Sequence, residues 1–392
     1  MKNSGNTFFN KFHIGAYFLQ KNARTDEHVR DMRDCGIDLA FGIDNDHSLL
    51  DLFYKYGISA VISGVVPSWF GGNGDNAGLM SQINAIEKYA IGIELFNDHP
   101  AVVGIDIGDE PSANDFPYCN EITELIKKQL PDKLPYLNIY PSYGMLASND
   151  KAQSARELGR ASYHEYIESY CKSIDLPYLS FDHYVYTSQK DRFFSDLSTA
   201  ASHCKESGKK LFVVLQVNSR DSNTFLSEKQ LYFQAFSAMA YGATAITWAC
   251  YSAGWWYNHV LDADGNKTEQ YEKLKSVNHT ILSLASEYLR YRWVDTEQVR
   301  SGPRSDFDVF KDLSATSDVL IGRFLKDDEH KAIFVSPIDH QDTSACTLSF
   351  GLDDVRRARL HKRGGAEWLI PDDDGIYRVY LKSKEACFIT VE

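Results

Sequence analysis

The sequence predicts an α/β chain: a closed (β/α)8 (TIM) barrel over residues 1–293, followed by a small antiparallel, β-sandwich-like domain over residues 294–392. Three observations carry that prediction. Residues 12–293 fall into eight repeats of a short apolar run followed by an amphipathic stretch. The segment after the first run, LQKNARTDE, holds no glycine, whereas the competing open doubly wound sheet normally places a phosphate-binding glycine turn there. From Val294 onward the texture changes to strands of about five to eight residues between turn clusters such as LKDDEHK, DHQDTS and PDDDG.

The expected barrel strands are 13–18, 37–44, 58–66, 102–109, 134–140, 178–184, 211–217 and 243–251. Helical patterns between them have readable ends: Thr25 to Gly36, His47 to Gly57, Gln189 to Gly208, and a run from the capping Ser227 to Gly242. A parallel sheet needs a helical crossover at each step, and closing it into a barrel removes its edges. The glycine-rich stretch Gly71 to Gly78 follows the third strand without matching a dinucleotide motif, and is expected to be a mobile loop over the mouth. A last helix over 269–293 precedes the β-domain, whose expected strands include 319–324, 331–335, 345–350 and 386–391.

The formal charge of −13, from 41 Lys and Arg against 54 Asp and Glu, disfavours nucleic acid or an anionic membrane as partner. The run RRARLHKR (356–363) reads as a solvated face of the β-domain, because no aromatic is interleaved with it. Trp368 is the one obvious sugar platform in that domain, whose expected role is structural. There is no long apolar run, and the first residues lack the pattern of a signal peptide, so the expected location is cytoplasmic. Seven scattered cysteines without a CxxC pair suit reduced, structural thiols, and the sequons at Asn266 and Asn278 matter only in a secreted eukaryotic setting. Oligomeric state is not legible.

In a barrel of this kind the chemistry sits at the C-terminal ends of the strands. The run VVGIDIGDEP ends abruptly at two adjacent carboxylates, Asp109 and Glu110, the first candidates for acid/base work. Other strand tips bring Tyr17; Asp44 and Asp46; Trp69; Asn138 and Tyr140; Asp182, His183, Tyr184 and Tyr186; Gln216 and Asn218; and Trp248 and Tyr251. Trp255, Trp256 and Tyr257 follow in the last loop, where three adjacent large rings cannot all enter one core. Carboxylates, amides and aromatics with almost no Lys or Arg describe a pocket for a neutral polyhydroxylated ligand, an oligosaccharide or glycoside. For any single Trp or Tyr a core position is the commoner fate.

The stretch HPAVVGIDIGDEP resembles the fourth strand of barrel glycoside hydrolases, in which an apolar strand ends in Asn-Glu-Pro or Asp-Glu-Pro and the Glu is the general acid/base. LSFDHYVY, FVVLQVN with SEKQLYFQAFSAMAYGATAITW, and LDADGNKTEQYEKLKSVN are similar to hydrolase-like bacterial barrels, so that the likeness spans most of residues 12–293. It implies a glycosidase with Glu110 as acid/base. The departure is at strand 7, where retaining members carry a nucleophilic Glu about 5 to 5.5 Å from the acid. Here Gln216 and Asn218 stand in that region.

Three readings follow. In the first, the substrate's 2-acetamido group is the nucleophile, as in the N-acetylhexosaminidases with an Asp-Glu pair that this tip resembles; Asp109 orients it, and Tyr184, Tyr186 or Tyr251 donates to its oxygen above a Trp248 floor. In the second, Asp182 is the second carboxylate of a conventional, β-galactosidase-like glycosidase, though a hydrogen-bonding role to a sugar hydroxyl or to His183 is the simpler reading. In the third, the barrel binds glycans without cleaving them. No HExxH, P-loop, GxSxG or paired-cysteine spacing calls for a metal or cofactor, and none is expected.

Overall fold

The computed structural model describes residues 8–72, 74–146, 155, 157–187, 189–302, 305–338, 345–353, 356–382 and 385–392. Its parallel strands close into the expected barrel in sequence order: β1 (His13–Tyr17), β2 (Leu39–Ile43), β3 (Ser59–Ile62), β4 (Val102–Asp109), β5 (Leu134–Ile139), β6 (Tyr178–His183), β7 (Lys210–Gln216) and β8 (Ala243–Ala249). β8 pairs back onto β1, Gly15 beside Thr247 and Ala16 beside Trp248. Each apolar run of the sequence is therefore one buried strand.

The crossovers are helical: α1 (Asp26–Asp34), α2 (His47–Tyr56), α3 (Met80–Ile83), α4 (Ile86–Glu94), α5 (Phe116–Gln129), α6 (Tyr163–Ser173), α7 (Lys190–Ser207), α8 (Glu228–Ala240) and α9 (Glu269–Tyr288). Their ends follow local chemistry. Thr25 accepts from the His28 N–H, Asp46 from those of Ser48 and Leu49, and Ser227 forms a reciprocal capping box with Gln230.

The chain divides into two compact units, Met1–Phe225 with Ala245–Glu272, and Leu226–Thr244 with Lys273–Glu392. In the second, strands β9 (Arg292–Val299), β12 (Val319–Leu325), β13 (Lys331–Pro337), β15 (Ala358–Lys362), β16 (Gly365–Trp368) and β18 (Cys387–Val391) form one antiparallel sheet; β10 (Ser305–Phe307), β11 (Phe310–Ala315), β14 (Cys346–Leu352) and β17 (Tyr377–Leu381) form another. Phe310, Leu348 and Phe350 of one sheet share a core with Ile321, Ile333 and Ile389 of the other, so the domain is a sandwich.

The last helix ends earlier than its periodicity predicts. It stops at Tyr288, and Arg292 and Trp293 already pair with Leu325 and Phe324 as strand β9. Sheet pairing outweighs helical pattern at this boundary, as expected where few turns of helix remain to be gained. All seven cysteines carry free thiols. Among the described residues no helix is long and apolar enough to cross a membrane.

Candidate active site

Strand alternation puts residues three apart on opposite faces of a sheet, which would turn either Asp106 or Asp109 away from the barrel interior. A bulge changes this. β4 pairs with β5 as Asp106 with Tyr136, then Gly108 with Leu137 and Asp109 with Asn138, so β4 carries one extra residue and both aspartates line the interior. Gly108 adopts φ 151°, and a Cβ there would stand 3.2 Å from that of Trp69. The Asp106 carboxylate secures the bulge, accepting the Gly108 N–H at 3.1 Å and the Ser63 hydroxyl at 2.9 Å.

The loop after β3 supports the same tip. The Asp109 N–H donates to the Trp69 carbonyl and the Gly71 N–H to the Asp109 carbonyl, each at 2.9 Å. Gly71 lies so close that a Cβ would meet the Glu110 carbonyl oxygen at 1.7 Å. Glu110 itself has φ 49°, unusual for a residue with a side chain, and its N–H donates to the Asn138 carbonyl at 2.9 Å. The adjacent acids thus sit on backbone braced from both sides.

Asn138 joins the carboxylates. Its Nδ2 donates to Asp109 at 3.2 Å and to Asp182 at 3.0 Å, and its Oδ1 accepts from the Ser180 hydroxyl at 2.9 Å. The amide orientation is set by this pattern, since two acids claim the donor end. Behind Ser180 the chain continues to the Tyr136 hydroxyl at 3.1 Å and from there to that of Tyr17 at 3.0 Å. A continuous polar seam therefore runs from β1 across β5 to the acids on β4 and β6.

Asp182 is buried, Glu110 half-buried and Asp109 exposed at the strand tip, and their depth in the barrel without a lining cation favours the protonated forms. Burial, then the charges of Asp182, Asp109 and Glu157, hold the Glu110 carboxyl well above its ordinary range. Asp182 is pushed up to about 8 by burial and by Asp109, against the lowering effect of Asn138. Asp109 is raised to about 7 by burial and by Asp106, again opposed by Asn138. The site holds protons into the neutral range.

A cavity of about 140 Å³ opens over this cluster, lined by Asp106, Asp109, Ser63 and Asn138 and by the rings of Tyr17, Phe18, Tyr136, Tyr184 and Trp255. No Lys or Arg lines it. Tyr140 is buried, and its hydroxyl has no partner among the described residues. Tyr184 meets both Trp255 and Trp256 edge to face, at 5.9 and 5.1 Å. The loop of three rings does reach the mouth, with Tyr257 more than half exposed.

Of the residues singled out from sequence, Tyr17, Asp109, Asn138, Tyr184 and Trp255 line this cavity, while Asp182 reaches it through Asn138, and Glu110 and Tyr140 adjoin the acids without lining it. Others do not. Asp44 is exposed and paired with Arg24, and Asp46 caps α2. Trp69 supplies its backbone to Asp109, and its buried indole N–H lacks a partner. His183 points outward between Asp196 and the Gln189 carbonyl. Gln216 is strapped to backbone, accepting from the Tyr186 N–H and donating to the Asn218 carbonyl, while Asn218 donates to that of Trp255.

Two placements correct the sequence reading. Trp248, expected as the sugar floor, is wholly buried on the outward face of β8, because Thr247 beside Gly15 takes the inward position and alternation turns its neighbour away. Tyr251, expected as a donor to the substrate, is buried among Cys35, Tyr271 and Asp31. Conversely, Asp106, Ser63 and Tyr136 were missed. The signal for Asp106 was present in DIGD, where a glycine inside a strand marks a bulge.

No protein-family model matches this sequence, and no curated protein does. Among solved structures, a catalytic mutant of a GH42 β-galactosidase from G. stearothermophilus is similar in fold, with a TM-score of 0.58 at 7% identity over 97% of this chain and 98% of that one. The β-galactosidase of the Antarctic haloarchaeon Halorubrum lacusprofundi matches with a TM-score of 0.52 at 12% identity, over 69% of this chain and 58% of that one. The chain is a TIM barrel with a C-terminal β-domain. At such identities the likeness shows the fold and leaves chemistry to the site.

Proposed function

We propose that this protein is a glycoside hydrolase in which Glu110 is the general acid. The observation that carries the proposal is the acid cluster beside an aromatic-walled cavity, in which Asp109 and Asp182 share the Asn138 amide: burial and the neighbouring Asp182 and Asp109 charges hold the Glu110 carboxyl above its ordinary range, as leaving-group protonation requires. Aromatic rings and uncharged donors suit the C–H faces and hydroxyls of a sugar. The two fold neighbours, both β-galactosidases, agree with a glycoside substrate.

Asp182 is buried, accepts from Asn138 at 3.0 Å and is absent from the cavity lining, which suits a supporting role better than that of nucleophile. We assign Asp182 to holding the Glu110 proton. With Gln216 tied to backbone and Asp106 held by Gly108 and Ser63, Asp109 is the cavity-lining carboxylate next to Glu110, and that place favours the substrate-assisted route on a 2-acetamido sugar, with Asp109 orienting the acetamido group.

The test is a panel of aryl glycosides, plain and N-acetylated, on wild type and Glu110→Gln. Turnover lost in the variant by about 10²-fold or more supports the acid assignment, and turnover retained refutes it. Thiazoline inhibition supports acetamido participation, whereas equal rates on plain and N-acetyl sugars exclude it. Sugar binding with no cleavage of any substrate would leave the barrel as a glycan-binding protein.

A further inference from the structure

We propose that Asp106 is the positioning residue of this site: its carboxylate clamps the β4 bulge that turns Asp109 into the barrel, and sets a second negative charge beneath it. The inference rests on the glycosidase reading for its kinetic readout only.

The geometry has two parts. Asp106 and Asp109 share the barrel interior only because β4 carries an extra residue, Ile107, between them. The N–H of Gly108, the residue that follows it, donates to Asp106 Oδ1 at 3.1 Å, so the Asp106 side chain spans the bulge. The other oxygen, Oδ2, is held by the Ser63 hydroxyl on the neighbouring strand's end at 2.9 Å, so the clamp is anchored to β3 as well as to its own strand. Burial raises the Asp106 carboxyl, and the bonds from Ser63 and Gly108 oppose it by favouring the ionised form.

The second part is charge. The titratable groups facing Asp109 are Asp106 and Glu110 from β4, Tyr17 from β1, Tyr136 and Tyr140 from β5, and Asp182 and Tyr184 from β6. None is a cation. Asp106 raises the proton affinity of Asp109 through its charge, and the nearest compensation is the Asn138 amide. A carboxyl with a midpoint of about 7 changes between donor and acceptor within the neutral range, and Asp106 sets where that change falls.

Three variants separate clamp from charge. Asp106→Asn retains an acceptor for Gly108 and removes the charge; Asp106→Ala removes both; Ser63→Ala removes only the anchor. Asp109 is followed directly by ¹³C-carboxyl NMR titration of Asp-labelled protein, with the signal assigned by its loss in Asp109→Asn. In Asp106→Asn the Asp109 midpoint moves below about 7, and the pH profile of kcat moves with it. In Asp106→Ala kcat falls by about 10²-fold, the size expected for a reacting group misplaced by about 1 Å, with Ser63→Ala in between.

A midpoint unmoved in Asp106→Asn overturns the charge assignment. Full kcat in Asp106→Ala and Ser63→Ala overturns the clamp. If Asp106→Ala does not fold, Ser63→Ala decides the clamp alone. If wild type cleaves no glycoside, the glycosidase reading fails while the NMR titration still decides whether Asp106 governs Asp109.

Discussion

Asp109 on the tip of β4 and Asp182 on β6 accept from one Asn138 amide, at 3.2 and 3.0 Å, although 73 residues separate them in the chain. Such an arrangement favours a proton on at least one partner, because two like charges at that range repel in a site without a lining cation. The pair is therefore a proton store at the barrel mouth, and each of its neighbours changes how firmly the proton is held.

Asp182→Asn removes the charge that raises Glu110, so the basic limb of the kcat/KM profile moves to lower pH. Stability carries the same signature. Asp182 is 4% exposed and its folded midpoint, about 8, lies above the ordinary 3.8. The folded state binds more protons, and wild-type stability falls as pH rises from about 4 to about 8. Thermal unfolding across that window has a shallower decline in the variant; parallel curves would show that Asp182 is not the group responsible.

Asn138→Ala leaves Asp109 and Asp182 without their shared donor and Ser180 without its acceptor. Since Asn138 lowers both acids, both midpoints rise further. Denaturant unfolding at pH 7 registers a loss of about 1–3 kcal/mol, the scale of buried polar groups left unmatched. An unchanged midpoint of unfolding would remove Asn138 from the site's support.

Gly71→Ala drives a methyl into the Glu110 carbonyl, backbone against backbone. Relief requires moving the β3 loop or the Glu110 peptide, at a cost of about 1–3 kcal/mol as for other overpacked positions. Because that peptide carries the proposed acid, kcat drops more than KM changes. Wild-type kinetics in this variant would show that the loop does not brace the tip.

Trp248 and Trp255 separate core from site. Trp248→Ala opens a hole on the barrel's outward face and costs about 3–5 kcal/mol in urea unfolding. Trp255→Ala removes part of the cavity wall and raises KM for a glycoside while leaving stability closer to wild type. Reversed effects would place the sugar platform on the wrong ring.

Eight strand positions, the helix caps and the change of texture after the barrel were legible because each depends on local periodicity and on side chains bonding their own backbone. The one helix end that was misplaced, at Tyr288 and not Trp293, is where a non-local partner, β12, competes for the chain. Candidate residues divided the same way. Asp109, Glu110 and Asp182 could be marked from their strand tips, but Trp248 and Tyr251 were equally good by position and face away from the cavity.

By itself, the sequence determined that apolar runs and capped helices alternate eight times and that the fourth run ends in two acids, since chain chemistry within about ten residues dictates both. Only the tertiary structure decided which side chains meet. A single extra residue in β4, held by Asp106, reverses the alternation that would otherwise send one aspartate outward. Closure of the barrel then brings Asp182 to the same Asn138 amide that holds Asp109. Facing is a matter of strand register, and register is set by pairing with strands far away in the chain.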